Sequence, residues 1–139
     1  MDINPYRFTA PWTAYEFANH VLASQTPLVV LSTAWLTHIP LEDLHAERFK
    51  PDQETVVYWM ERFAPLKLAA EKQGIETTVV IANRVGTDPP ASSFAGSSCV
   101  MRFRRGGVVE IFDVLGRAEE KVLVVDLGKT PKFTLARRE

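Results

Sequence analysis

The chain has 139 residues, 46% hydrophobic and 24% charged, with a formal net charge of −1. That is the size of one domain or part of one, and near-neutral charge gives no case for a nucleic-acid partner or a charged membrane surface. No apolar run reaches the roughly 20 residues of a membrane helix, and a single cysteine, Cys99, excludes an internal disulfide and suits a reducing, cytoplasmic compartment.

Met1–Ile3 lacks the basic and apolar pattern of a signal peptide, and Asn4-Pro5 makes a turn. Thr9 is a candidate N-cap for a helix running to about Ser24, with Pro11 in its first turn and Ala14, Ala18, Val21 and Leu22 on its buried side. Leu28–Thr33 is a short apolar run of the kind buried on both faces of a sheet, and Trp35 stands just beyond its end. Thr37–Pro51 reads as loop with a turn of helix near Leu41–Glu47. Asp52 caps a second helix, Gln53–Gln73, whose stripe is Val56, Trp59, Met60, Phe63, Leu66 and Ala70. Pro65 predicts a kink in it, and Gly74 is a natural C-terminal cap.

Thr77–Ala82 is another buried strand, stopped at Asn83-Arg84. Val85–Ala95 has loop composition, and Ser97–Phe103 and Val108–Asp113 flank the turn Arg104–Gly107 as a hairpin. Lys121–Leu127 reads as a last strand and 128–139 as a polar tail or arm. Helices alternate with buried strands and then give way to antiparallel pairing. The expectation is an α/β fold with a mixed sheet, two main helices and a hairpin.

No self-sufficient catalytic set emerges from these residues. Cys99 shares a strand face with Met101 and Phe103 and reads as core. His20, His38 and His45 lack metal-ligand spacing, so no metal and no cofactor is expected. Glu119-Glu120 reads as a solvated turn, and Arg102, Arg104 and Arg105 as a solvated hairpin tip.

The strand ends carry a resemblance. Val80–Gly86 with Phe94–Ser98 resembles the "NRVG…F-x-G-x-S" segment of the carbon–nitrogen hydrolase (nitrilase) superfamily, Val29–Trp35 resembles its "lPSAW" strand end, and Glu119–Leu127 resembles its final strand. Met1–Phe8, MDINPYRF, is similar to the "C-M-D-x-N-P-Y-x-F" signature of fungal protein N-terminal amidases, which deamidate N-terminal Asn or Gln of proteins. The resemblance implies the C-terminal half of an αββα sandwich over residues 1–127. Its cysteine nucleophile falls immediately before Met1, and its Glu and Lys further upstream, so no catalytic residue is expected in the chain.

It also implies that Met1 supplies a backbone N–H beside the nucleophile. Asp2 either buttresses the turn or meets the substrate amino group. Trp35 is a pocket wall or a core aromatic, and Asn83 orients a loop or touches substrate. Partners would be protein or peptide N-termini. The alternatives are a non-catalytic binding or assembly module that self-associates through an uncovered sheet, a truncated gene product derived from such an amidase, and a longer protein in which Met1 is internal. A half-sandwich would leave sheet edges and one apolar face uncovered.

Overall fold

The computed structural model describes residues 2–88 and 92–135; Met1, part of the loop between Val85 and Ala95, and the end of the 128–139 segment lie outside them. The central sheet has five strands, β1 (Leu28–Thr33), β3 (Thr77–Asn83), β6 (Cys99–Arg104), β7 (Val108–Val114) and β8 (Phe133–Leu135), adjacent in that order. β1 and β3 run parallel and the other pairs are antiparallel, so the sheet is mixed. A small second sheet joins β2 (Leu36–Thr37), β5 (Ser92–Phe94) and β4 (Thr87–Asp88).

The helices are α1 (Glu16–Ala23), α2 (Leu41–Ala46), α3 (Gln53–Arg62) and α4 (Ala64–Gln73). The apolar stripes of α1, α3 and α4 cover one sheet face: Val21, Trp59, Phe63, Leu66 and Ala70 join Val79, Ile81, Met101, Phe103 and Ile111 in one buried cluster. Cys99 belongs to that cluster, as its strand pattern predicts. Asp52 caps α3 by accepting from the Thr55 amide, and Gly74 ends α4 in the left-handed conformation, at φ 69°. At the hairpin tip Gly106 and Gly107 take φ 82° and 75°, where a side chain would be strained.

The other face is covered unevenly. Along one cross-strand row Val100 is buried, Val80 half-buried and Val30 67% exposed; β1 is therefore not buried on both faces as its apolar run predicts, because it is the edge strand and no layer of the described residues covers that side.

Three further expectations change. The first helix begins at Glu16 rather than after Thr9; residues before it form two short 3-10 turns, and Tyr15 is left-handed at φ 43°. The long second helix breaks completely at Phe63, and Pro65 enters the first turn of α4. A proline there has no N–H to give the carbonyl four residues back and clashes with it, so the chain restarts instead of bending. Lys121–Leu127 is not a strand among the described residues: Val122 and Val124 are 82% and 85% exposed. Phe133–Leu135 takes the open edge of β7 instead.

Candidate functional site

The parallel strands β1 and β3 end side by side, Thr33 opposite Asn83. Asn83 is buried there, and its side chain is fully committed. Its Oδ1 accepts from Thr33 Oγ1 at 2.8 Å and from the Trp35 amide at 2.7 Å, while its Nδ2 donates to the Gly96 carbonyl at 2.9 Å. The Trp35 carbonyl accepts from Ala95 N at 2.9 Å. Asn83 thus ties the loop after β1 to the loop before β6 and holds Trp35 by its backbone. Arg84, its neighbour, forks onto Asp88 at 2.8 and 2.6 Å and lies 4.4 Å over the Phe94 ring.

Trp35 stands over the core with one side open. It meets Trp59 edge-on at 6.1 Å and Tyr58 at 5.2 Å. Its open side walls a cleft of about 590 Å³ whose other margin includes Asp2, Asn4 and Phe8. Trp35 is therefore both a core contact and a wall of this cleft.

The irregular segment from Asp2 to Tyr15 is held by one buried side chain. Arg62, 2% exposed, donates through Nε to the Ile3 carbonyl at 2.6 Å and through Nη1 to the Trp12 carbonyl at 2.7 Å. Its Nη2 reaches Glu16 Oε2 at 3.4 Å, and its guanidinium carbon lies 4.7 Å from the Trp12 ring and 5.2 Å from the Tyr15 ring. The Tyr58 hydroxyl donates to Asn4 Oδ1 at 2.8 Å, and the Asn4 amide donates to Asp2 Oδ1 at 3.1 Å. Burial raises the Tyr58 phenol above its ordinary range; the Arg62 charge opposes the rise and Asp2 adds to it. Asp2 is exposed and turned into a local carboxylate–amide turn at the cleft margin.

Of the four candidate site residues, Asp2 and Trp35 share the cleft. Asn83 lies behind it as the organiser of Trp35, and Met1 lies outside the described residues. Cys99 does not line the cleft; burial pushes its thiol up to about 12, which leaves it protonated and unreactive. His38 lines the cleft and His45 does not. Two of the three hairpin arginines are not simply solvated; Arg105 is exposed, as expected. Arg102 donates to Glu110 at 2.9 and 2.7 Å and Arg104 at 2.8 Å, and Glu110 is 4% exposed. Glu119 accepts from the Gly116 amide at 2.9 Å, closing its turn.

The sequence pattern does not reveal Arg62, Tyr58 or Ser97. Ser97 is fully buried at φ 59° and accepts from the Asp52 amide at 2.8 Å. The available signal for Arg62 is its spacing three residues after Trp59, on the buried stripe of α3.

A mixed sheet covered by helices on one face, with an aromatic-walled cleft at the ends of its parallel strands, is an α/β arrangement consistent with a nitrilase-type fold. In sequence and fold the chain is similar to the N-terminal amidases. It is 32% identical over 140 residues to a protein N-terminal amidase of Schizosaccharomyces pombe, an alignment covering 93% of this chain and 46% of that protein. A crystal structure of N-terminal amidase superposes with a TM-score of 0.68 at 18% identity, covering 85% of this chain and 56% of that one. N-terminal amidase with an Asn-Glu-Ala peptide gives 0.67 at 18% identity, covering 85% and 55%, and with a Gln-Val peptide 0.67 at 17% identity, covering 85% and 56%. The chain spans about half the length of the curated relative it matches. No family model matches the chain.

Proposed function

We propose that this chain is the C-terminal half of a thiol amidohydrolase of the N-terminal amidase type, hydrolysing the side-chain amide of N-terminal Asn or Gln. On this reading residues 1–127 are the amidase-like part, and 128–139 a terminal extension. The observation that carries it is the turn Asp2–Asn4, held by Arg62 and Tyr58 at the margin of a cleft walled by Trp35. In that chemistry a thiolate attacks the amide carbon, ammonia leaves with a proton from the general acid, and water attacks the thioester to release the carboxylate. A Glu serves as the acid and base, and a Lys stabilises the oxyanion. On this reading all three belong to the N-terminal half.

The described residues would then form the wall of the substrate site. Asp2 carries a carboxylate suited to a substrate ammonium, Trp35 gives a flat apolar side, and Asn83 positions Trp35 without touching substrate. On the same reading Met1 would supply a backbone N–H beside the nucleophile. A lone buried thiol fits a cytoplasmic protein.

The test is ammonia release from an Asn-initiated peptide incubated with the purified chain. Background release is expected, because Cys99 has neither access nor an ionised thiol. Turnover lost on Cys99→Ser would overturn the reading.

A second reading, that the chain works as an assembly module, is favoured by the exposed apolar edge at Leu28 and Val30 and by exposed Val122 and Val124. Light scattering after size exclusion separates the two: a compact monomer that stays monomeric at high concentration counts against assembly.

A further inference from the structure

The cleft beside Asp2 does not end at Trp35. A second cleft of about 440 Å³ lies alongside, and the two share Asn4, Phe8, Trp35, Leu36 and His38 in their walls. Together they form a groove passing Trp35, with Asp2 toward one end and Glu54 toward the other.

The charge in this groove is one-sided. Neither a lysine nor an arginine lines either cleft among the described residues. Of the carboxylates in the second cleft, Asp52 is buried and occupied by the Thr55 amide at 3.4 Å and its hydroxyl at 2.9 Å. Glu54 is exposed in the first turn of α3 and has no hydrogen-bond or ion-pair partner among the described residues. It is thus an uncommitted anion on the groove wall, beside apolar surface from Trp35 and Ile39 and the ring of Tyr58. A long aliphatic stem ending in a cation matches that combination, because its methylenes lie on apolar surface while its head stays hydrated.

We infer that the groove takes an extended polypeptide whose amino-terminal residue sits in the first cleft, and that the Glu54 cleft selects a lysine or arginine a few residues downstream. This rests on the amidase reading for the direction of the peptide and adds a preference that the reading does not contain. Glu54 is then a specificity residue remote from the reacting amide. The pair is solvent-exposed, so its preference is modest and weakens with salt.

The experiment is equilibrium binding of C-terminally labelled peptides to the purified chain by fluorescence anisotropy. Asn-Gly-Lys-Lys-Ala is compared with Asn-Gly-Glu-Glu-Ala, and each with its N-acetylated form. The lysine peptide is expected to bind about three-fold tighter at low salt. Glu54→Gln should bring the two peptides to parity, and Glu54→Lys should reverse their order. Circular dichroism checks that both variants fold.

Equal binding to the wild-type chain, or a lysine preference that persists in Glu54→Gln, overturns the inference. Failure of the amidase reading looks different: the lysine preference is present, but acetylation of the terminal amine costs nothing. Binding of no peptide at all overturns both.

Discussion

The Arg62 guanidinium donates to the Ile3 carbonyl at 2.6 Å, joining residues 59 positions apart in sequence. This contact explains how a segment with left-handed Arg7, Phe8 and Tyr15 keeps one conformation. Left-handed non-glycine residues cost of order 1–3 kcal/mol each and persist only where the surroundings over-determine them. Here two carbonyls, one carboxylate and two aromatic rings converge on a single planar cation.

Arg62→Ala should therefore destabilise the chain by about 3 kcal/mol, through orphaned carbonyls and a void between Trp12 and Tyr15. Arg62→Lys should recover only part of the loss, since an ammonium cannot fork to both carbonyls. Urea midpoints measure the cost. Amide exchange should show the loosening concentrated between Asn4 and Ala14, and uniform loosening across the sheet would refute the anchoring role.

Asn83→Asp is nearly isosteric, yet it replaces the donor facing the Gly96 carbonyl with an acceptor. It should cost about 2 kcal/mol and shift Trp35 fluorescence, because the same side chain holds the Trp35 amide. A variant with unchanged melting temperature and emission would remove Asn83 from this organising role.

Glu110 gives a pH dependence with a definite sign. Burial pushes its carboxyl up, but hydrogen bonds from Arg104 and Arg102 and their charges outweigh that and hold it below its ordinary value. A depressed carboxylate contributes stability fully above the unfolded value, about 4.3, and loses it as pH falls through the lower folded value. The wild-type urea midpoint should accordingly drop more steeply below about pH 4.3 than that of Glu110→Gln. Parallel acid profiles for the two proteins would show that the network contributes no such linkage.

Cys99 is fully buried with its thiol pushed up to about 12 by burial alone. Iodoacetamide at mildly alkaline pH should leave it unmodified in the native chain and label it fully in denaturant. Rapid native labelling would mean that β6 opens locally. Cys99→Ser should lower stability by about 1–3 kcal/mol, since it places an unpaired hydroxyl in an apolar cluster.

Much of the framework is legible in the residues. β1 spans Leu28–Thr33 as its apolar run predicts, the hairpin turns at its glycines, and Asp52 and Gly74 bound the α3–α4 region. Each is a local signal, in which periodicity, a capping carboxylate or a positive-φ glycine acts within a few residues. The signals that failed are those where distant groups outbid local ones. Thr9 and Pro11 are a sound helix start, but the Trp12 carbonyl and ring are drawn to Arg62 instead. Lys121–Leu127 has the composition of a strand, but a strand also needs an edge, and Phe133–Leu135 pairs with β7.

By itself, then, the sequence determined the β1, β3 and hairpin segments, the Asp52 and Gly74 ends of the α3–α4 region, and the likeness to the amidases carried by Met1–Phe8 and the strand ends. The tertiary structure alone decided that Asn83 serves Trp35, that Arg62 is a buried anchor, and that Asp2 and Trp35 face one cleft. The physical reason is that burial of an element is written in its own periodicity. The partner of a buried polar group lies 48 or 59 residues away and is chosen only when the layers pack.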